Sequence, residues 1–198
     1  MRFFAFKIHS GKFAVGLKPS AGAKMRSEAV ITAIKKITEV NSGMIDTIIN
    51  NFRGGWEGWL QIETIVELSD QLKPGHAADR EVHYPNSTQI ADVVLYPRMG
   101  NNIYLELKTQ NRPNDDILNR FQNDVTKIEN QRSANPANVY IAVAFMKTFD
   151  RNGLFEIDRA SGTSFVIWQF QRDGWKNYIN NSSSIKENVN TIAVITYT

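Results

Sequence analysis

Ile90-Ala-Asp-Val-Val-Leu-Tyr96 and Ile103-Tyr-Leu-Glu-Leu-Lys-Thr-Gln110 decide how this chain is read. Both are rich in β-branched, aromatic and other apolar residues. Turn formers bound them, Pro85-Asn-Ser87 before the first and Pro97-Arg-Met-Gly-Asn-Asn102 between the two, so they read as strands over Gln89–Tyr96 and Asn102–Gln110. Strand side chains alternate between faces, which puts Glu106 and Lys108 on one face and Leu105 and Leu107 on the other. Asp92 is a single acid among Ile90, Ala91, Val93 and Val94. A carboxylate in a mostly buried strand is costly unless paired or metal-bound. If the strands pair as a hairpin, Asp92 and Glu106 come within bridging distance of one cation. A Glu-x-Lys alone is most often a solvated surface pair; the apolar setting of Asp92 is what favours a site.

Upstream of these strands, Arg2 to Leu17 alternates apolar and polar residues around Ser10-Gly-Lys12 and reads as a β-hairpin, followed by a loop at Lys18-Pro-Ser-Ala-Gly22. Helical spacing of Val30, Ala33, Ile34, Ile37 and Val40 predicts a helix from Ser27, its N-cap, to Val40. Asn41-Ser-Gly43 stops it, and a second helix runs from Met44 to about Phe52. Past Arg53-Gly-Gly55, a third is expected over Trp56 to Leu72, with Trp59, Leu60, Ile62, Val66 and Leu72 inward. The breaker Pro74-Gly75 ends it, and a strand over Asp79–Tyr84 follows.

Downstream, Ile117, Phe121, Val125 and Ile128 mark one face of a charged helix over about Asp116 to Arg132. Val139–Phe145 is apolar enough for a strand buried on both faces. Ser164–Gln171 and Thr191–Tyr197 read as strands, with Asn180-Asn-Ser-Ser-Ser184 a flexible loop between them. The expected fold is mixed α/β, with a central mixed sheet flanked by helices. Residues 1–54 form an N-terminal hairpin and helices, 55–150 the αβββαβ core, and 151–198 a β-rich extension of the same domain.

The 198 residues suit one domain with a sizeable core, at 42% apolar and 22% charged. The absence of cysteine excludes disulfide scaffolds, thiolate zinc sites and cysteine nucleophiles. A net charge of +3 is compatible with phosphate contact. Met1-Arg-Phe-Phe-Ala-Phe-Lys7 is too short an apolar run for a signal peptide or membrane helix. The expected location is therefore the cytoplasm, unless a signal-independent export route is used. His9, His76 and His83 lack zinc-ligand spacing, and no nucleotide-binding glycine loop or nucleophile elbow occurs.

Two carboxylates on adjacent strands make a hard oxygen site suited to Mg²⁺ or Mn²⁺, with a lysine beside it to orient water or stabilise charge. The order helix, three strands, helix, strand, with Asp92 on the second strand and Glu106-Leu-Lys108 on the third, resembles the PD-(D/E)XK nuclease superfamily over residues 55–145. Ala91 stands where that motif has proline. The resemblance implies a restriction-endonuclease-like core and a Mg²⁺-dependent nuclease, with Mn²⁺ an alternative ion and DNA a more expected substrate than RNA. It implies Asp92, Glu106 and Lys108 as catalytic residues, and Asp92, Glu106 and Leu107 as metal positions. A further acid comes from the first core helix: Glu63 is preferred and Glu57 is second. The two lie about 240° apart around a helix, so both do not easily serve one ion.

Gln110, Arg80 and Lys127 are candidate nucleic-acid contacts, each with an ordinary structural role as the alternative. Such enzymes serve in restriction, defence, repair and as interbacterial toxins, so an inhibitory partner protein and a dimer are both compatible with the resemblance. The competing reading is a non-catalytic module that binds nucleic acid or protein on the same fold.

Overall fold

The computed structural model describes residues 27–51, 56–69, 77–97, 100–111, 116–146, 164–171, 174–180 and 191–197. The expected hairpin over Arg2–Leu17 and nearly all of the Asn180–Ser184 loop lie outside them. Helices α1 (Ser27–Asn51) and α2 (Trp56–Ser69) precede strands β1 (Ala77–His83), β2 (Ile90–Tyr96) and β3 (Ile103–Thr109). Helix α3 (Ile117–Ala134) and strand β4 (Val139–Met146) follow, then β5 (Ser164–Gln171), β6 (Gly174–Asn180) and β7 (Thr191–Tyr197).

The strands form one open mixed sheet in the order β1-β2-β3-β4-β7-β5-β6. The β1–β2, β2–β3 and β5–β6 pairs are antiparallel. The pairs β3–β4, β4–β7 and β5–β7 are parallel. A parallel neighbour needs a crossover, and α3 supplies it between β3 and β4. Alternation then divides the core. Leu105, Leu107, Ile141, Val143 and Phe145 pack with Ile34, Ile37, Ile45, Ile49, Trp56 and Leu60 of α1 and α2. Tyr104, Tyr140, Ala142 and Ala144 pack with Ile117, Phe121, Val125 and Ile128 of α3. Every residue of β4 is buried, as a strand covered by helices on both sides requires.

The break read at Asn41-Ser-Gly43 is present: two helical segments meet within α1 at a kink, where Asn41 (φ −113°, ψ 15°) leaves helical geometry. The Asn41 side chain donates to the Ile37 carbonyl at 2.9 Å. Ile45 and Ile49, beyond the kink, are buried with Ile34 and Ile37 before it, so both segments pack on the same core. Two other local expectations are corrected. On α2, Ile62 (46% exposed) and Val66 (57%) face out, while Gln61 and Thr64 are buried. Both polar groups are satisfied: Thr64 Oγ1 donates to the Leu60 carbonyl at 2.7 Å, and Gln61 Oε1 accepts from Arg80. Finally, Gly174–Asn180 forms a strand where none was expected, since its mixed polar composition carries little strand signal. No helix among the described residues is long and apolar enough to cross a membrane.

Candidate active site

The β2–β3 ladder runs Leu95–Ile103, Val94–Tyr104, Val93–Leu105 and ends there. The next rung would face Asp92 with Glu106. In its place, Asp92 Oδ2 accepts the Leu107 N–H at 2.6 Å, a side-chain oxygen standing where a strand carbonyl would be. Across β1, the residue opposite Asp92 is Glu81, whose φ of 54° lies in the left-handed region that costs a non-glycine residue on the order of 1 kcal/mol. Beyond this point the chain has rotated: Val93 faces α1 and α2, whereas Ala91 faces α3. The strands therefore part into a fork, with Asp92 on one prong and Glu106 and Lys108 on the other.

Helices on both faces close over the fork. Trp56 is buried, stacks edge-on against Phe145 with ring centroids 5.0 Å apart, and donates from Nε1 to the Gln110 carbonyl at 2.8 Å. That anchor pins the start of α2 to the end of β3 and fixes the neighbouring Glu57. Glu57 Oε2 accepts the Thr109 N–H at 3.2 Å, and Oε1 lies 3.4 Å from Lys108 Nζ. From the other face, Arg120 Nη2 donates to the Thr109 carbonyl at 3.1 Å. One turn further along α3, Asp124 Oδ2 lies 3.3 Å from Lys108 Nζ. Lys108 is thus held between acids from two helices.

Glu106 is 1% exposed. Its Oε1 accepts a short hydrogen bond from the Tyr84 hydroxyl, and its Oε2 pairs with Lys127 Nζ at 2.7 Å. Tyr84 is itself fixed by a stack with Tyr104, which stacks in turn on Tyr140.

Four carboxylates surround two ammonium groups here, and burial decides the consequence. Burial pushes the Asp92 carboxyl up to about 6, with Glu57 and Asp124 adding to the rise and the Leu107 N–H and Lys108 opposing it. Glu106 is driven up to about 8, first by burial and then by Asp92, against the pull of Lys127 and Tyr84. Asp124 is also raised, because burial outweighs both lysines. Burial works against the Lys108 ammonium, yet Asp124, Glu57 and Asp92 outweigh it, and Lys108 stays charged.

The structure brings together Asp92, Glu106 and Lys108, and it makes Glu57, not the preferred Glu63, the helix acid at this site. Glu63 lies about 240° further round α2 and roughly 9 Å along it. Rotation of α2 about its axis is set by the Trp56 anchor and by burial of Leu60, Thr64 and Leu68. Leu107 contributes its N–H to Asp92. Gln110 is buried at the end of β3, where its main chain joins Phe145 and Trp56. Arg80, expected as a phosphate contact, donates from Nε and Nη2 to Gln61 Oε1 at 2.9 and 2.7 Å. A Cβ on Gly58 would approach its guanidinium to 3.3 Å, so the glycine gives it room against α2. Lys127 faces Glu106, with its Nζ 2.7 Å from Oε2.

Asp124 and Tyr84 were not foreseen. Asp124 carried a usable signal: it falls on the stripe of Ile117, Phe121, Val125 and Ile128, where an acid is as anomalous as Asp92 is in β2.

Among the described residues, no three acids or histidines converge as a closed metal cage. Mg²⁺ asks for less, since it commonly binds through one or two carboxylates and keeps several waters. The hard oxygen donors of Asp92 and Glu106, in a cluster of four carboxylates and two ammonium groups, fit that kind of site. Comparison with protein-family models, curated proteins and solved structures finds no match to this chain.

Proposed function

We propose that this protein is a divalent-metal-dependent nuclease, the activity implied by its resemblance to the PD-(D/E)XK superfamily, with DNA as the favoured substrate. The observation that carries the reading is the excess of carboxylates over ammonium groups, four to two, where β2 and β3 part. Asp92, raised to about 6, is mostly ionised near neutrality, whereas Glu106, raised to about 8, favours its proton there; a divalent cation would take that proton's place.

Asp92 and Glu106 would hold Mg²⁺ or Mn²⁺, which when bound polarises a phosphoryl oxygen and acidifies a water. Glu57 and Asp124 keep the Lys108 ammonium charged and aimed across the fork. Lys108 then orients the attacking water or neutralises the charge that builds on the phosphoryl oxygens. Glu57 takes the helix-acid role proposed for Glu63.

Purified protein should nick plasmid DNA with Mg²⁺ or Mn²⁺, stop on chelation, and lose at least about 100-fold in rate as Asp92→Ala or Lys108→Ala. Full activity in either folded variant removes the assignment.

A second reading has its own support: Asp92 is satisfied by Leu107, and both lysines already neutralise carboxylates internally. A non-catalytic binding module would keep such a network for structure alone. It predicts that Mn²⁺ leaves the melting temperature unchanged, whereas a genuine metal site raises it by mass action.

A further inference from the structure

Lys127 has an environment that a lysine on a solvated helix face does not need. Its Nζ lies 2.7 Å from Glu106 Oε2 and 3.0 Å from the main-chain oxygen of Ile90. It also sits 5.9 Å from the centroid of the Tyr84 ring. A carboxylate oxygen, a carbonyl oxygen and an aromatic face form a cation's coordination sphere, built from three parts of the fold: β3, the start of β2 and the residue that follows β1. Glu106 has almost no contact with solvent, so whenever it is ionised its second oxygen must be neutralised by something within the protein. Lys108 does not fill this role, because its ammonium is committed to Glu57 and Asp124.

We propose that Lys127 is the resident counter-cation of the site, occupying the oxygen of Glu106 that a divalent ion must take, and that binding of the ion expels it. The inference rests on the metal reading above and adds a determinant of metal affinity to it. The exchange conserves the logic of the pocket: a positive charge leaves Glu106 only as another arrives. The side chain can make that move, since Lys127 lies on the rim at 19% exposure and its flexible stem can carry the ammonium out to water. A divalent ion bound by Asp92 and Glu106 together gains two carboxylates, where the ammonium gains one and a carbonyl. A monovalent ion, with half the charge, lacks that advantage. The site is therefore expected to discriminate by ionic charge, and Lys127 to keep the metal-free protein from carrying an unpaired buried anion.

Pulse acetylation of the lysines with mass-spectrometric readout tests this on the unmodified protein, with the melting temperature measured on the same samples. Lys127 should react slowly without metal and about tenfold faster with saturating Mn²⁺, the change expected when a mostly closed contact becomes mostly open. Na⁺ or K⁺ at matched ionic strength should leave it slow. In Glu106→Gln, which keeps the shape of the side chain, Lys127 should react fast with and without Mn²⁺. A melting temperature that rises with Mn²⁺ while Lys127 stays slow overturns this inference and leaves the metal reading standing. If Mn²⁺ changes neither quantity, both fall.

Discussion

The two ends of the β2–β3 pair use the same backbone to opposite ends. At the closed end, Val93, Val94 and Leu95 face Leu105, Tyr104 and Ile103 rung by rung in an antiparallel ladder, all buried. At the forked end the ladder stops, Asp92 substitutes for a carbonyl, and the side chains that follow are charged. The closed end stabilises. The forked end gives up part of that stability to carboxylates in a partly buried cluster and one left-handed residue. The division shows that a sheet need not be uniformly optimised: one strand pair can anchor the core over three rungs and gather charged side chains beyond them.

The largest effect tests that division directly. Leu105→Ala at the closed end should cost about 2–5 kcal/mol in urea denaturation, the transfer and cavity terms of a fully buried leucine. Asp92→Asn retains an acceptor for the Leu107 N–H and should stay within about 1 kcal/mol of the parent protein. Equal losses at both positions would erase the contrast.

Stability should next depend on pH with a sign set by the fork. Asp92 moves from 3.8 to about 6 on folding, and Glu106 from 4.5 to about 8. Between those limits the folded state binds more protons than the unfolded one, so these groups' contribution falls as pH rises. It is greatest below about pH 4 and levels off above about pH 8. Saturating Mn²⁺ should reverse the trend, because the ion binds the deprotonated form. Metal-free stability that climbs from pH 5 to 8 would contradict the placement of these acids.

Smaller again is Glu106→Gln, which should flatten that profile and, at pH 9 without metal, raise stability by about 1 kcal/mol as a buried charge disappears. The smallest effect separates the two acids of α2. Glu63→Gln should change stability by less than about 0.5 kcal/mol and leave the Mn²⁺-dependent rise in melting temperature intact. Glu57→Gln should reduce that rise, and a larger loss from Glu63→Gln would return the helix-acid role to it.

Much of this architecture was legible along the chain. β2, β3, β4, β5 and β7 fall within a residue or two of their expected limits, because alternation and turn chemistry are properties of consecutive residues. α3 starts and stops close to where its stripe of Ile117, Phe121, Val125 and Ile128 predicts. The errors lie where packing overrides local signals. The break read at Asn41-Ser-Gly43 is there as a kink, but Ile62 and Val66 give up core positions to Gln61 and Thr64.

The chain alone therefore determined that Glu106 and Lys108 share a face and that Asp92 is an acid in an apolar strand, since a period of two is fixed by covalent geometry. Which further groups meet them was decided only in three dimensions. A helix side chain's direction depends on rotation of the whole helix against the sheet, and that rotation is set by residues far from the site. The Trp56 anchor selected Glu57 over Glu63, and the seating of α3 brought Asp124 to Lys108 and Lys127 to Glu106. Even the fork belongs to tertiary structure, because it exists only where two strands stop pairing.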